Sequence, residues 1–247
     1  MMECKKALSA DEVQNDLTKA TEWLRKYGSA KASSKVAGRE ALEGLVGLTI
    51  ANERGLATLV KVASETDFAS RSETFSSFVQ GVADAAAAET SASSEGQVAD
   101  IPNFLSTAKN NEGKLLSEGL NDAILAIREN IQVSSISVMK ASSDSSVFAG
   151  YVHGRAPNST CGTSAAIVEV ASIKDSGSND DDKARWEEVA KKLAMHVVAA
   201  KPIYLNPDSV PEEVVSKEKE ILREKMGDSN KPPEILEKIS EYIIHYN

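Results

Sequence analysis

The chain has 247 residues, of which 41% are apolar and only 5% aromatic, and its formal net charge is −9. This is enough chain for two sizeable cores, or for one domain with appendages, and the packing must rest on Leu, Val, Ile and Ala, mainly in helices. The acidic balance argues against general nucleic-acid binding, which needs clustered Lys and Arg, and points to a protein partner.

From Met1 to Leu8 the chain reads as a short helix. Asp16 is an N-cap for a second helix, with Leu17, Ala20, Trp23 and Leu24 on one face and Gly28 at its end. Ser29 to Glu40 is a basic connector, partly helical and solvated. Ala41 to Ala51 and Leu56 to Ser64, separated by Asn52-Glu-Arg-Gly55, form a β-hairpin. The apolar run then breaks at Glu65-Thr-Asp-Phe68, which falls on a strand-to-helix loop. A large aromatic at such a tip either folds back into the core or anchors a partner. Phe75, Phe78, Val79 and Val82 with Ala85 and Ala86 mark an amphipathic helix that packs on the hairpin. After a low-complexity loop at Ser91 to Gly96, Leu115 to Ile127 is another helix with one apolar stripe.

Ile131 to Lys140, Val147 to Gly154 and Ala165 to Ile173 predict three antiparallel strands in a second sheet. They are followed by an acidic loop to Lys183 and a helix from Trp186 to Ala200, stopped by Pro202. Pro211 opens a charged helix over Glu212 to Met226. Pro232-Pro233 opens a last one reaching Tyr246, and the two together predict a helical hairpin. The predicted fold class is α+β, with a two-part core of antiparallel sheets. The divisions are a partial helical module (1–28), a basic linker (29–40), core subdomains (41–130 and 131–204) and the hairpin (205–247).

Catalytic motifs are missing from the sequence. There is neither a phosphate-cradling Gly-x-x-x-x-Gly-Lys-Ser/Thr loop nor a Gly-x-Gly-x-x-Gly turn, so no direct nucleotide binding and no cofactor are expected. His153, His196 and His245 never form His-Glu-x-x-His. Ser137-Val-Met-Lys140 sits on a strand, where its two ends point to opposite faces. Cys4 and Cys161 suit a reducing compartment. No apolar run approaches the roughly 20 residues of a membrane span, and the first ten residues lack the pattern of a targeting segment.

Met1-Met-Glu-Cys-Lys-Lys-Ala-Leu8, Glu22-Trp-Leu-Arg25, Ala37-Gly-Arg39, Glu43-Gly-Leu-Val46, Glu65-Thr-Asp-Phe68 with Arg71, Glu129-Asn-Ile131, Tyr151-Val-His-Gly154 and Ala194-Met-His-Val197 follow one another in an order and spacing that closely resemble the elongation factor Ts family. The resemblance covers nearly the whole chain. It implies a non-enzymatic protein that exchanges guanine nucleotide on the GTPase elongation factor Tu. Thr66, Asp67, Phe68 and Ala69 would form the partner-binding loop. In that loop Phe68 is the wedge, Asp67 disturbs the GTPase's magnesium site, and Thr66 and Ala69 shape the tip.

Ile127, His153, Met1 and Met2 match further positions of partner contact. Each also has a local reading: Ile127 lies on the apolar stripe, His153 at a strand end, and Asp67 could be a helix cap. The family's N-terminal module resembles ubiquitin-associated domains and normally has another helix before Met1. Ser64 and Ala69 stand where relatives usually carry Cys and Val. A second reading implied by the resemblance is a structural or assembly component of a ribosome. The serine-rich loops and clipped start point to the mitochondrial matrix ahead of the plastid stroma or a bacterial cytoplasm.

Overall fold

A computed structural model describes residues 2–36, 38–89, 96–155, 159–171, 180–204 and 206–226, some helical residues, including Met2, by their backbone alone. The chain divides into two compact units, Met1–Val198 and Ala199–Asn247.

The first unit opens with helices α1 (Met2–Leu8) and α2 (Leu17–Val36). Asp16 caps α2 as expected, its carboxylate accepting from Thr18 N at 2.8 Å and Lys19 N at 3.1 Å. Ala7, Val13 and Ala20 are buried together, with Leu8, Trp23 and Leu24 against them. The helix does not stop at Gly28, and the basic stretch, expected as a partly helical connector, continues it as far as Val36. An interior glycine costs about 1 kcal/mol relative to alanine. That cost is offset by the helix-forming Ala and Lys residues around it and by Val36, which is buried in the main core.

Strands β1 (Glu43–Ala51) and β2 (Leu56–Ser64) form the expected hairpin, in register from Glu43–Ser64 to Ala51–Leu56. A one-turn helix α3 (Asp67–Ser70) and the long α4 (Glu73–Glu89) follow, then the two-residue strand β3 (Gly96–Gln97), α5 (Ile101–Thr107) and α6 (Leu116–Ile127). Thr58, Val60 and Val62 of β2 are fully buried, as are Phe75, Val79 and Val82 of α4. The Thr58 hydroxyl donates to the carbonyl of Ala83 on α4, which satisfies a polar group inside the core. The expected amphipathic helix and its packing on the hairpin are therefore present.

The separate second sheet does not form. Strands β4 (Gln132–Lys140), β5 (Val147–Arg155) and β6 (Gly162–Val170) join the hairpin in one antiparallel sheet of order β3-β4-β2-β1-β6-β5. β4 pairs with β2 from Leu56–Lys140 to Ala63–Gln132, not with β5. A nine-residue apolar strand left as an open edge is a liability, and β4 covers it. Within this pair Lys61 faces Ser135 but Val62 faces Val133, so Ser134 is a bulge without a partner on β2. The β5–β6 ribbon meets β1 at the single pair Val46–Gly162 and folds back over its outer face. A Cβ at Gly150 would lie 3.1 Å from Leu48 Cδ2, so the close approach depends on that glycine. The turn between β1 and β2 reaches the free edge of β5. There Asn52 donates from Nδ2 to Phe148 O at 3.1 Å and accepts from Phe148 N at 2.9 Å.

Helix α7 (Asp180–Ala200) begins earlier than Trp186 and takes in Asp180, Asp181 and Asp182, expected in a loop. It ends before Pro202 as expected. In the second unit α8 (Glu212–Met226) follows Pro211. The helix expected from Pro232 to Tyr246, and with it the hairpin, lies outside the described residues. Among the described residues no helix is long and apolar enough to cross a membrane.

Candidate functional site

The site is built where β2 ends. Ser64 is fully buried, and its hydroxyl donates to Thr66 O at 3.1 Å. Thr66 is extended (φ −127°, ψ 158°) and caps α3, its hydroxyl accepting from Ala69 N at 3.3 Å. The cap is therefore Thr66, and the cap reading of Asp67 is corrected. Asp67 occupies the first helical position, and its carboxylate pairs with Arg71 one turn on, at 2.9 Å. The Ser70 hydroxyl closes the turn by donating to Asp67 O at 2.7 Å.

This turn sorts its side chains by direction. Ala69 and Ser70 point inward and are buried, whereas Phe68 is 79% exposed. Of the two sequence readings of that ring, folded back or presented outward, the structure takes the second. A single large aromatic on a rigid, otherwise polar turn can do no bond chemistry. It can enter an apolar gap in another molecule.

A second loop braces the first. Thr66 donates from its backbone N at 2.9 Å and from its hydroxyl at 2.7 Å to the two carboxylate oxygens of Glu129. In the reverse direction Asn130 N donates to Glu65 Oε1 at 2.6 Å. Asn130 is buried, and its side-chain amide donates to Arg39 O at 2.6 Å, while the Arg39 guanidinium lies 3.4 Å from Glu65. Sequence reasoning gave Glu129, Asn130 and Arg39 no role beyond resemblance. Their partners are 26 to 91 residues away in the chain, and no local pattern encodes such distances.

The remaining predicted residues are placed separately. Ile127 ends α6, two residues before Glu129, and is half-buried against the main core, so its stripe reading holds while its helix end adjoins the turn. His153 is exposed on β5, three strands from β2 in the sheet, with Tyr151 OH 3.4 Å from its Nδ1. Among the described residues, no hydrogen bond or ion pair joins it to the turn. Met1 lies outside the described residues, and of Met2 only the helical backbone is described. His196 stands among apolar positions at helical spacing, the pattern of a core residue, yet it is exposed on α7.

A cleft of about 590 Å³ lies between α4 and α6. Its polar groups are spent on one another: Asp84 accepts from Thr49 Oγ1 at 2.6 Å, Gln80 Nε2 at 2.8 Å and Asn111 Nδ2 at 3.3 Å, and Lys114 pairs with Asp122. Cys161, behind it, is fully buried, and burial pushes its thiol above the ordinary range.

The sequence model of the family described as Elongation factor TS matches residues 65–245. The elongation factor Ts of Lawsonia intracellularis is 34% identical over 243 residues, which cover 98% of this chain and 76% of that protein. That of Sphingopyxis alaskensis is 36% identical, covering 99% and 72%, and that of Arthrospira platensis 35% identical, covering 97% and 83%. With a family match that includes the exposed turn and relatives aligned over nearly all of its length, the chain belongs to the elongation factor Ts family.

Proposed function

We propose that this chain is a guanine-nucleotide exchange factor in translation elongation, binding elongation factor Tu in its GDP form and promoting release of the nucleotide. The observation that carries this reading is the outward ring of Phe68 on a capped turn. To expel a nucleotide, a partner must bind the empty GTPase more tightly than the loaded one, and reciprocity then weakens the nucleotide by the same factor. No bond is made or broken, so the protein acts by binding and not as an enzyme.

In this reading Phe68 enters the GTPase near its magnesium and phosphate site. Asp67 is half-exposed and pairs with Arg71, and it can exchange that surface ion pair for polar groups of the partner, since such pairs contribute about 1 kcal/mol or less. Thr66 and Ala69 set the turn beneath them, and Ile127, His153, Met1 and Met2 add contacts elsewhere. The test is release of a fluorescent GDP analogue from elongation factor Tu with and without the chain. Acceleration supports the reading. A chain that binds the factor or a ribosome without speeding release has a structural or assembly role instead.

A further inference from the structure

We propose that Glu129 is a positioning residue for Phe68, its carboxylate replacing the backbone ladder between β2 and β4 at the point where the strands part and thereby holding the α3 cap in its presenting geometry. This rests on the exchange reading for its functional consequence, though not for its structural one.

Past the Ser134 bulge, β2 and β4 pair as Val62–Val133 and Ala63–Gln132. Carried onward, that register sets Glu65 opposite Asn130 and Thr66 opposite Glu129, and these are the two pairs the side chains make. The paired ladder has ended at Ala63–Gln132, and each carboxylate reaches across to the opposing N–H. Had the register before the bulge continued, Thr66 would face Asn130, whose amide is committed to Arg39 O, and the Thr66 N–H would have no carboxylate opposite it. The bulge at Ser134 therefore brings Glu129 to the cap.

At the cap itself one hydroxyl serves two roles. By donating to Glu129 Oε1, Thr66 Oγ1 turns its lone pairs toward Ala69 N, which it caps. Glu129 also takes the Thr66 N–H, so both rotation of the threonine and the path of the backbone entering α3 are set by one carboxylate. Phe68 follows two residues later on a four-residue helix too short to hold its own direction.

The experiment compares the full chain with Glu129→Ala and Glu129→Gln in two measurements. Amide hydrogen exchange read by NMR should show protection of the Thr66 and Ala69 N–H falling about tenfold in Glu129→Ala, as expected for loss of a charge-assisted hydrogen bond, with β1–β2 amides unchanged. Glu129→Gln keeps one acceptor oxygen and should lose less. Should Glu129→Ala unfold the chain, Glu129→Gln alone gives the reading. Unchanged Thr66 protection in the variant overturns the proposal.

The second measurement is affinity for nucleotide-free elongation factor Tu. Glu129→Ala should weaken it about tenfold with Phe68 present and less than twofold in a Phe68→Ala background, because neighbours that act through one another are not additive. Equal losses in both backgrounds overturn positioning and leave a merely structural brace. If the unaltered chain neither binds the factor nor speeds GDP release, the exchange reading fails, while hydrogen exchange still decides whether Glu129 holds the turn.

Discussion

Replacing Phe68 by alanine separates binding from folding more cleanly than any other substitution here. The ring is 79% exposed, so roughly 150 Å² of aromatic surface is free to be buried by a partner. At about 25 cal/mol per Å² full burial corresponds to roughly 4 kcal/mol, of which an interface typically retains about 2 kcal/mol after desolvation and ordering costs. Two kcal/mol is about a thirtyfold loss of affinity for nucleotide-free elongation factor Tu. Stimulated GDP release at sub-saturating concentration should fall in proportion. The same substitution removes almost nothing from the protein's own core, so the melting midpoint should move by no more than about 2 °C. Stopped-flow release of labelled GDP gives the first quantity and a thermal melt the second. Nucleotide exchange by Phe68→Ala as fast as by the parent would refute the wedge role of the ring, as would a melting midpoint far below the parent's. The latter would place the ring in a packed environment the structure does not contain.

Further outcomes follow from other parts of the molecule. Gly44 has φ of +141°, and a Cβ there would stand 2.1 Å from Val62 O, so Gly44→Ala should force β1 off β2 directly behind the turn and cost about 1–3 kcal/mol in chemical denaturation. Under native conditions an alkylating reagent should label Cys4, which is exposed, and spare Cys161, whose buried thiol resists ionisation; mass spectrometry of the intact protein should show the second adduct only after denaturation. Partial burial works against the charge of Glu169, but hydrogen bonds from the Ser142 backbone and the Ser146 and Ser142 hydroxyls outweigh it and hold the carboxyl below its usual range. A depressed carboxylate contributes stability above its unfolded value and loses it as pH falls through the folded one. The stability advantage over Glu169→Gln should therefore be present at neutral pH and shrink on acidification below about pH 4.5.

The parts of this fold that were legible in the sequence are those written in local periodicity. The stripe from Phe75 to Ala86 and that of α6 are helical at 3.6 residues, and Asn52-Glu-Arg-Gly55 between two apolar runs is a hairpin. Each follows from neighbours a few residues apart. What escaped was choice of partner. Ile131 to Lys140 reads equally well as a strand beside Val147 to Gly154 or beside Leu56 to Ser64, because alternation says which face is apolar and not which edge is covered. Gly28 misled for a related reason. Its residue type marks a helix end, yet the burial of Val36 eight residues on carries the helix through it. At the site, sequence located the turn but put Asp67, not Thr66, in reach of the cap role. The choice was settled by Glu129, whose hold on Thr66 depends on a bulge that no composition announces.

The two hydrogen bonds between Asn52 and Phe148 bear on how the protein stays apart from its neighbours in a crowded solution. β5 is one of the two edge strands of the sheet, and its outward backbone groups could recruit an extended segment from another molecule. By offering an amide that donates and accepts as a peptide group would, Asn52 occupies the Phe148 position itself. The incoming chain finds its first docking place already taken, and sheet growth is halted by a side chain from the same molecule.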